Sequence, residues 1–504
     1  MTELDAVARE VSHQPRRRRR ARRSQGYQLS EDFKARMPKT KIWPALVWSL
    51  VLSLVSVANP FLTFLATNEQ TQHLYAGMAM MAGQNPYGDF FATNGVLYYL
   101  LAWLGHIDGG FIVFDFLQMI ALFIAGVYFY KIMVYFSQSE RLATSSSHWF
   151  YIFIASLGFG GLYAEIFALP FVLASLWFLV RYFANAVGDE AFILYGIEAA
   201  LAFLIYPKSL LLWLLAGFVL FVFNTQQRQM ARGLYQLLAS IFGLLLVLYL
   251  VGYYAFEAQI LGTAIQQTFL YNLNLGFQYA GLYVTLAVVA GFLLLSGFFK
   301  GFIQTVSSFG QGRYTHIKVL ILLVFVAQLV FIIGTPNGHY SQLLSLLPYG
   351  FVMTVLHLGA DLEAEERGYL SRHFFLPLVI AFGMVAQPAY TYFVEGDLVT
   401  DRASIASYVG QETTKTDKIY VWDNSASIYL DSQRLSSATI ISAEPYLTTT
   451  GNQNSLLYDL NKNEASLVIV NKNIPLLDDV KANLELQYKP VKTTDYFIVY
   501  QKNE

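Results

Sequence analysis

The chain has 504 residues, of which 55% are hydrophobic, 16% aromatic and 13% charged, with no cysteine and a formal net charge of -1 at pH 7. So much apolar surface exceeds what one soluble core buries and points to lipid as the solvent, while the missing cysteines exclude disulfides, thiol catalysis and Cys-ligated metals. The small net charge hides an uneven distribution, with basic residues gathered near the N-terminus and in short loops.

Residues 1–41 read as a basic cytoplasmic tail. They include the run RRRRRARR over 16–23, which next to a membrane helix marks the cytoplasmic side and attracts anionic lipid. The run has no interleaved aromatics and no nucleic-acid-binding fold around it, so nucleic acid is not expected as a partner. The first apolar run begins near Ile42, is longer than a signal h-region and lacks a small-residue cleavage site, so it is expected to remain as an anchor.

Apolar runs that compare with the ~20 residues of a bilayer crossing fall at 42–66, 111–136, 149–162, 165–183, 192–206, 210–223, 234–256, 282–299, 319–333, 343–358 and 374–392. If each crosses, Lys131, Arg141, Arg181, Arg228, Arg232, Lys300, Arg313, Lys318, Arg367 and Arg372 all fall on the side of the N-terminus. A single helix over 149–183 would export Arg181, so a hairpin broken at LGFGGLY (157–163) is expected. The other side has two long loops, 67–110 and 257–280, whose aromatic content favours ordered interfacial structure.

After residue 392 the pattern turns soluble, with strand-like KIYVW, SLVIVN and DYFIVYQ separated by helical or turn segments. The expected fold is a mainly α polytopic membrane bundle of about eleven transmembrane helices. It occupies 42–393, has a large first external loop at 67–110 and carries a small extracytoplasmic α/β domain at 394–504.

The first loop carries two carboxylates, Glu69 and Asp89, at the membrane surface, where partial desolvation suits a carboxylate to act as a general base on a hydroxyl. Helix capping or loop solvation would explain them equally. Lys208, in IYPKSLLLW, is the one basic residue placed externally before the C-terminal domain, where it suits phosphate or simply snorkels. Glu165 begins the fourth run in GLYAEIFALP, where the helix dipole itself favours an acid. His339 and Tyr340 follow an external Pro-Asn-Gly turn, and a histidine there suits a phosphate or sugar as well as solvent. No HExxH pair, P-loop or dinucleotide fingerprint occurs, so ATP-driven chemistry is not expected.

At these residues the sequence resembles the GT-C class of membrane glycosyltransferases, in particular the protein O-mannosyltransferase and aminoarabinose-transferase-like branch. Members show an Asp-Glu pair after the first helix, then G-x-x-P-Y-x-D-F and G-P-L-x-Y stretches. Here these are Asn68-Glu69, GQNPYGDFF (83–91, containing Tyr87 and Asp89) and NGVLYYLL (94–101). Glu165 matches an acid that begins a helix after the second loop, Lys208 a lysine in a short turn, and His339, Tyr340 and Pro348 a helix start. The stretch 419–437 resembles the external domain of bacterial members. Two departures stand out: Asn68 replaces the usual Asp and Val96 the Pro of the G-P-L stretch. Asn cannot be a base. Either Glu69 or Asp89 takes that role, or the protein only binds a lipid-linked sugar.

The resemblance implies a cell-membrane enzyme that moves a sugar from a polyprenyl-phosphate donor to a cell-envelope acceptor: a polysaccharide, a teichoic-acid-like polymer or a glycolipid. Glu69 and Asp89 would be catalytic, and Lys208, His339, Tyr340, Glu165, Tyr87 and Asn68 would bind donor phosphate or sugar. No cofactor is expected beyond the lipid-linked substrate, and divalent metal dependence stays open. The alternatives are a transporter or flippase of a lipid-linked sugar and a non-catalytic partner in envelope synthesis.

Overall fold

Lipid offers no partner for backbone N–H and C=O groups, so apolar runs satisfy them internally as helices. The computed structural model describes residues 39–503 except 274, 278–280, 312–313, 336–339, 359–366, 444–446 and 448. The arginine run and His339 therefore lie outside the described residues. Among the described residues, five helices are long and apolar enough to cross a membrane: Ile112–Ser137, Ala164–Phe183, Pro207–Gln226, Met230–Glu257 and Thr315–Gly334. Two bent pairs, Leu282–Ser296 with Phe298–Gly310 (71°) and Pro377–Phe393 with Gly396–Glu412 (58°), bring the number to seven if each is one span. The chain is a membrane protein, and its other apolar runs fold as shorter or more polar helices.

The first run shows why. Its helix, Trp43–Leu54, stops well before residue 66, and the chain continues in turns around Asn59-Pro60. Proline has no N–H to continue the ladder, and the Asn59 side chain accepts the Phe61 N–H at 3.1 Å. The break expected at LGFGGLY is present between Glu140–Leu157 and Ala164–Phe183, with Gly160 and Gly161 at φ of +79° and +73°.

Close helix contacts depend on small residues, as in membrane bundles generally. A Cβ at Gly196 would sit 1.9 Å from the Ser240 carbonyl oxygen, and one at Gly243 would sit 2.0 Å from that of Ile193. The helices Phe192–Ile205 and Met230–Glu257 thereby meet backbone to backbone. Elsewhere the core is aromatic: Phe129 stacks on Phe150 with centroids 4.2 Å apart, and Phe351 meets both edge-on.

The first long loop contains two helices, Asn68–Met81 and Val96–Gly105. Gln267, Thr268 and Asn272 of the second loop tie it down through hydrogen bonds to the backbone of Tyr87, Ala92, Thr93 and Asn94. The C-terminal domain opens with the helix Gly396–Glu412 and forms a five-stranded sheet in the order β2-β1-β3-β5-β4. Its strands are β1 Lys418–Trp422, β2 Leu435–Ser436, β3 Leu467–Asn471, β4 Tyr488–Thr493 and β5 Phe497–Lys502. β1 runs parallel to β2 and β3, whereas β5 is antiparallel to β3 and β4.

Candidate functional site

The site is built around the start of Asn68–Met81. Thr67 and Gln70 form a reciprocal capping box there: the Thr67 hydroxyl accepts the Gln70 N–H and the Gln70 side chain accepts the Thr67 N–H. The Gln70 amide also donates to the carbonyls of Phe159 (2.7 Å) and Gly161 (2.8 Å), which pins the helix start onto the glycine loop. Glu69 lies in the first turn, where the helix dipole favours a carboxylate, and its Oε2 accepts a hydrogen bond from the Ser341 hydroxyl at 3.2 Å.

Next to Glu69 lie Glu165, the first-turn acid of Ala164–Phe183, and Lys208, in the short turn Pro207–Leu210. Both are buried, at 6% and 8% exposure, so each needs the other's charge. The three side chains stand within one another's electrostatic fields, and the Tyr206 hydroxyl faces Glu165. The Lys208 ammonium donates to the Thr335 hydroxyl at 3.1 Å, while its carbonyl accepts from the Gln328 amide at 3.1 Å. Two carboxylates thus stand in the field of one ammonium without either coming within the 4 Å of an ion pair, and the group keeps a net negative charge when all three are ionised.

A cavity of about 640 Å³ opens on Glu69. Its walls include Asn68, Tyr163, Tyr340, Ser341 and, from the bent pair leading into the C-terminal domain, Gln387, Glu395 and Arg402. Arg402 is held by a buried bidentate pair with Asp423, at 2.7 Å from Nε and 3.0 Å from Nη2, and Asn471 donates to the same carboxylate at 3.0 Å. Asp423 follows β1 and Asn471 ends β3, so the carboxyl ends of the parallel strands face this junction.

The fold therefore brings together Glu69, Glu165 and Lys208, and places Asn68 and Tyr340 on the same cavity. It does not bring Asp89 or Tyr87 there. Asp89 is exposed, and its carboxylate accepts the Asn85 N–H at 2.7 Å, closing its own turn. Tyr87 is buried at φ of +67° and donates its hydroxyl to the Asn94 carbonyl at 2.7 Å, which shapes the loop from within. His339 lies outside the described residues. Sequence reasoning missed Ser341, Thr335 and Arg402, each joined to its partner only by the tertiary fold. Among the described residues, no group of three or more His, Asp or Glu converges as a metal site would require.

The fold is similar to that of ArnT from Cupriavidus metallidurans. The crystal structure bound to undecaprenyl phosphate has a TM-score of 0.57 and the apo structure one of 0.58, each at 12% identity, covering 90% of this chain and 96% and 95% of the other. A crystal structure of the Archaeoglobus fulgidus oligosaccharyltransferase with Zn and sulfate covers 85% of this chain and 68% of that one, with a TM-score of 0.45 at 13% identity. The likeness to ArnT shows a GT-C glycosyltransferase-like fold. No curated protein sequence matches the chain. The family described as "Putative competence-induced protein Ccs4 N-terminal domain" matches residues 30–396, and the corresponding C-terminal domain family matches 399–503. From its membrane helices to its final strand, the chain belongs to the competence-induced Ccs4 protein family.

Proposed function

We propose that the protein transfers a sugar from a polyprenyl-phosphate donor to a hydroxyl of a cell-envelope acceptor on the extracytoplasmic face of the membrane. The observation that carries this reading is Glu69 on the wall of a cavity, with the buried Glu165 and Lys208 within its electrostatic field. Lys208 exchanges the Thr335 hydroxyl for the donor phosphate and stabilises it as it leaves. Glu69 takes the proton of the acceptor hydroxyl, the hydroxyl oxygen bonds to the anomeric carbon, and the bond from that carbon to phosphate breaks. Polyprenyl phosphate departs as an anion without a general acid, and the anomeric centre inverts. Asp89, turned away into its own loop, has no part in this step.

Asn68 supports a second reading. It stands where the resembled glycosyltransferases carry an Asp, and a protein without that acid suits a role that binds lipid-linked sugar without transferring it. The test is transfer from a panel of radiolabelled polyprenyl-phosphate sugars by purified protein in lipid, comparing wild type with Glu69→Gln and Lys208→Ala. Transfer that collapses in Glu69→Gln supports the enzyme. Saturable donor binding with no turnover for any sugar supports the binding protein.

A further inference from the structure

A second cluster, outside the candidate site, gathers cations and imidazoles around aromatic rings. Tyr369 at its centre donates its backbone N–H to the Ser145 hydroxyl at 2.9 Å, near the start of Glu140–Leu157, whereas Ser156 near the end of that helix lines the Glu69 cavity. At ~1.5 Å per residue the two places lie about 16 Å apart along the helix.

The Lys300 ammonium donates to the Arg372 carbonyl at 2.9 Å and stands 4.9 Å from the centroid of the Phe374 ring. His373 is 5% exposed, packs 4.5 Å from the Tyr369 ring and rests against Gly297, where a Cβ would come within 2.0 Å of its Nδ1. His357 lies in the fields of Arg372, Lys300 and Lys318. Arg372 Nη1 and His373 Nδ1 are buried without a hydrogen-bond partner among the described residues, whereas the His357 ring leans on the Met353 backbone. Among the described residues, no carboxylate pairs with Lys300, Arg372 or Lys318. Burial, with help from Lys300 and Arg372, pushes His373 down to about 3, so at neutral pH it is an uncharged hydrogen-bonding group beside two fixed cations.

Like charges packed together with idle donors call for an anion with several acceptor oxygens. We propose that this cluster binds a phosphate group, through the guanidinium of Arg372 and the ammonium of Lys300, with the imidazoles of His373 and His357 completing its contacts. The phosphate is that of a phospholipid headgroup or of a free phosphate, both of which reach the end of a membrane bundle.

The test uses full-length protein in maltoside detergent, which carries no phosphate, and follows thermal unfolding in two arms: inorganic phosphate and phosphatidylglycerol. Saturable stabilisation is expected in at least one arm. Its half-saturation should be weakened about tenfold or more in Arg372→Gln and in Lys300→Gln and unchanged in Lys131→Gln. Lys300 is only half-buried, so its variant keeps the test open if Arg372→Gln does not fold. A response to inorganic phosphate assigns the free ion; a response to the lipid alone assigns the headgroup. The proposal is overturned by the absence of a saturable response, or by a response equal in all variants. It is also overturned by a response that appears only after Asp361, Glu363, Glu365 and Glu366 are neutralised, since the chain's own carboxylates would then hold the cations.

Discussion

Glu69 and Asp89 occupy the same loop, but their oxygens have different work. Asp89 spends its carboxylate on the Asn85 N–H, whereas Glu69 accepts from the Ser341 hydroxyl and faces a cavity. Glu69→Gln is therefore expected to lower sugar transfer by roughly 10²–10⁴-fold, the usual contribution of a positioned base. Asp89→Asn should leave transfer little changed, and turnover of a labelled donor by the two variants separates the roles. Lys208 calls for a different experiment, because removing it also strands a buried carboxylate. Lys208→Met alone should lower the melting temperature, because Glu165 then stays buried without its nearby positive charge. Adding Glu165→Gln should recover much of that in thermal unfolding without restoring donor binding. Glu165 and Lys208 were legible in the sequence because each breaks an apolar pattern at a helix start or a turn, and Glu69 because it is a carboxylate just after the first apolar run. Their neutral partners were not: Ser341 lies 272 residues from Glu69 and Thr335 lies 127 from Lys208, and nothing local marks either hydroxyl.

At the scale of elements, the helix Asn68–Met81 is held from two sides. On the membrane side, Gln70 closes the capping box and binds two carbonyls of the glycine loop. Gln70→Ala is expected to lower the melting temperature and slow transfer although Gln70 is not assigned to substrate, because it leaves buried carbonyls unpaired at about 1–3 kcal/mol. Thr67→Ala, which removes the N-cap alone, should cost about 1 kcal/mol. Circular dichroism melts of both variants, set against their turnover, show whether the position of Glu69 follows the stability of the cap. The break at LGFGGLY was readable because it has a charge consequence at Arg181. β2 and β4 were not readable: one is two residues long, and the other, Tyr488–Thr493, reads as polar chain with a proline. It is tolerated because β4 lies at the sheet edge, where Pro490 costs no central ladder bond.

Across the whole molecule, the same helix joins the membrane bundle to the C-terminal domain. The Thr71 hydroxyl accepts the Ala426 N–H at 3.0 Å, and the Gln72 amide donates to the Asn424 carbonyl at 3.2 Å and the Ser442 hydroxyl at 3.0 Å. The Tyr75 hydroxyl accepts the Ser436 N–H at 2.9 Å. A composition shift marked the C-terminal domain in the sequence, but its docking was not legible, because it rests on neutral side chains meeting backbone across some 350 residues of chain. These bonds hold the helix that carries Glu69 from its far side, so in the proposed mechanism the domain acts on Glu69 by positioning it. Thr71→Val combined with Gln72→Ala should leave donor affinity near that of wild type, since Glu165 and Lys208 are untouched, while turnover falls and proteolysis of residues beyond 394 speeds up. Rapid proteolysis with wild-type turnover would mean that the Gln70 contacts to the glycine loop hold Glu69 without help. Lost donor binding would mean that the domain helps to form the donor pocket itself, with Arg402, fixed by Asp423 on the cavity wall, as its point of contact.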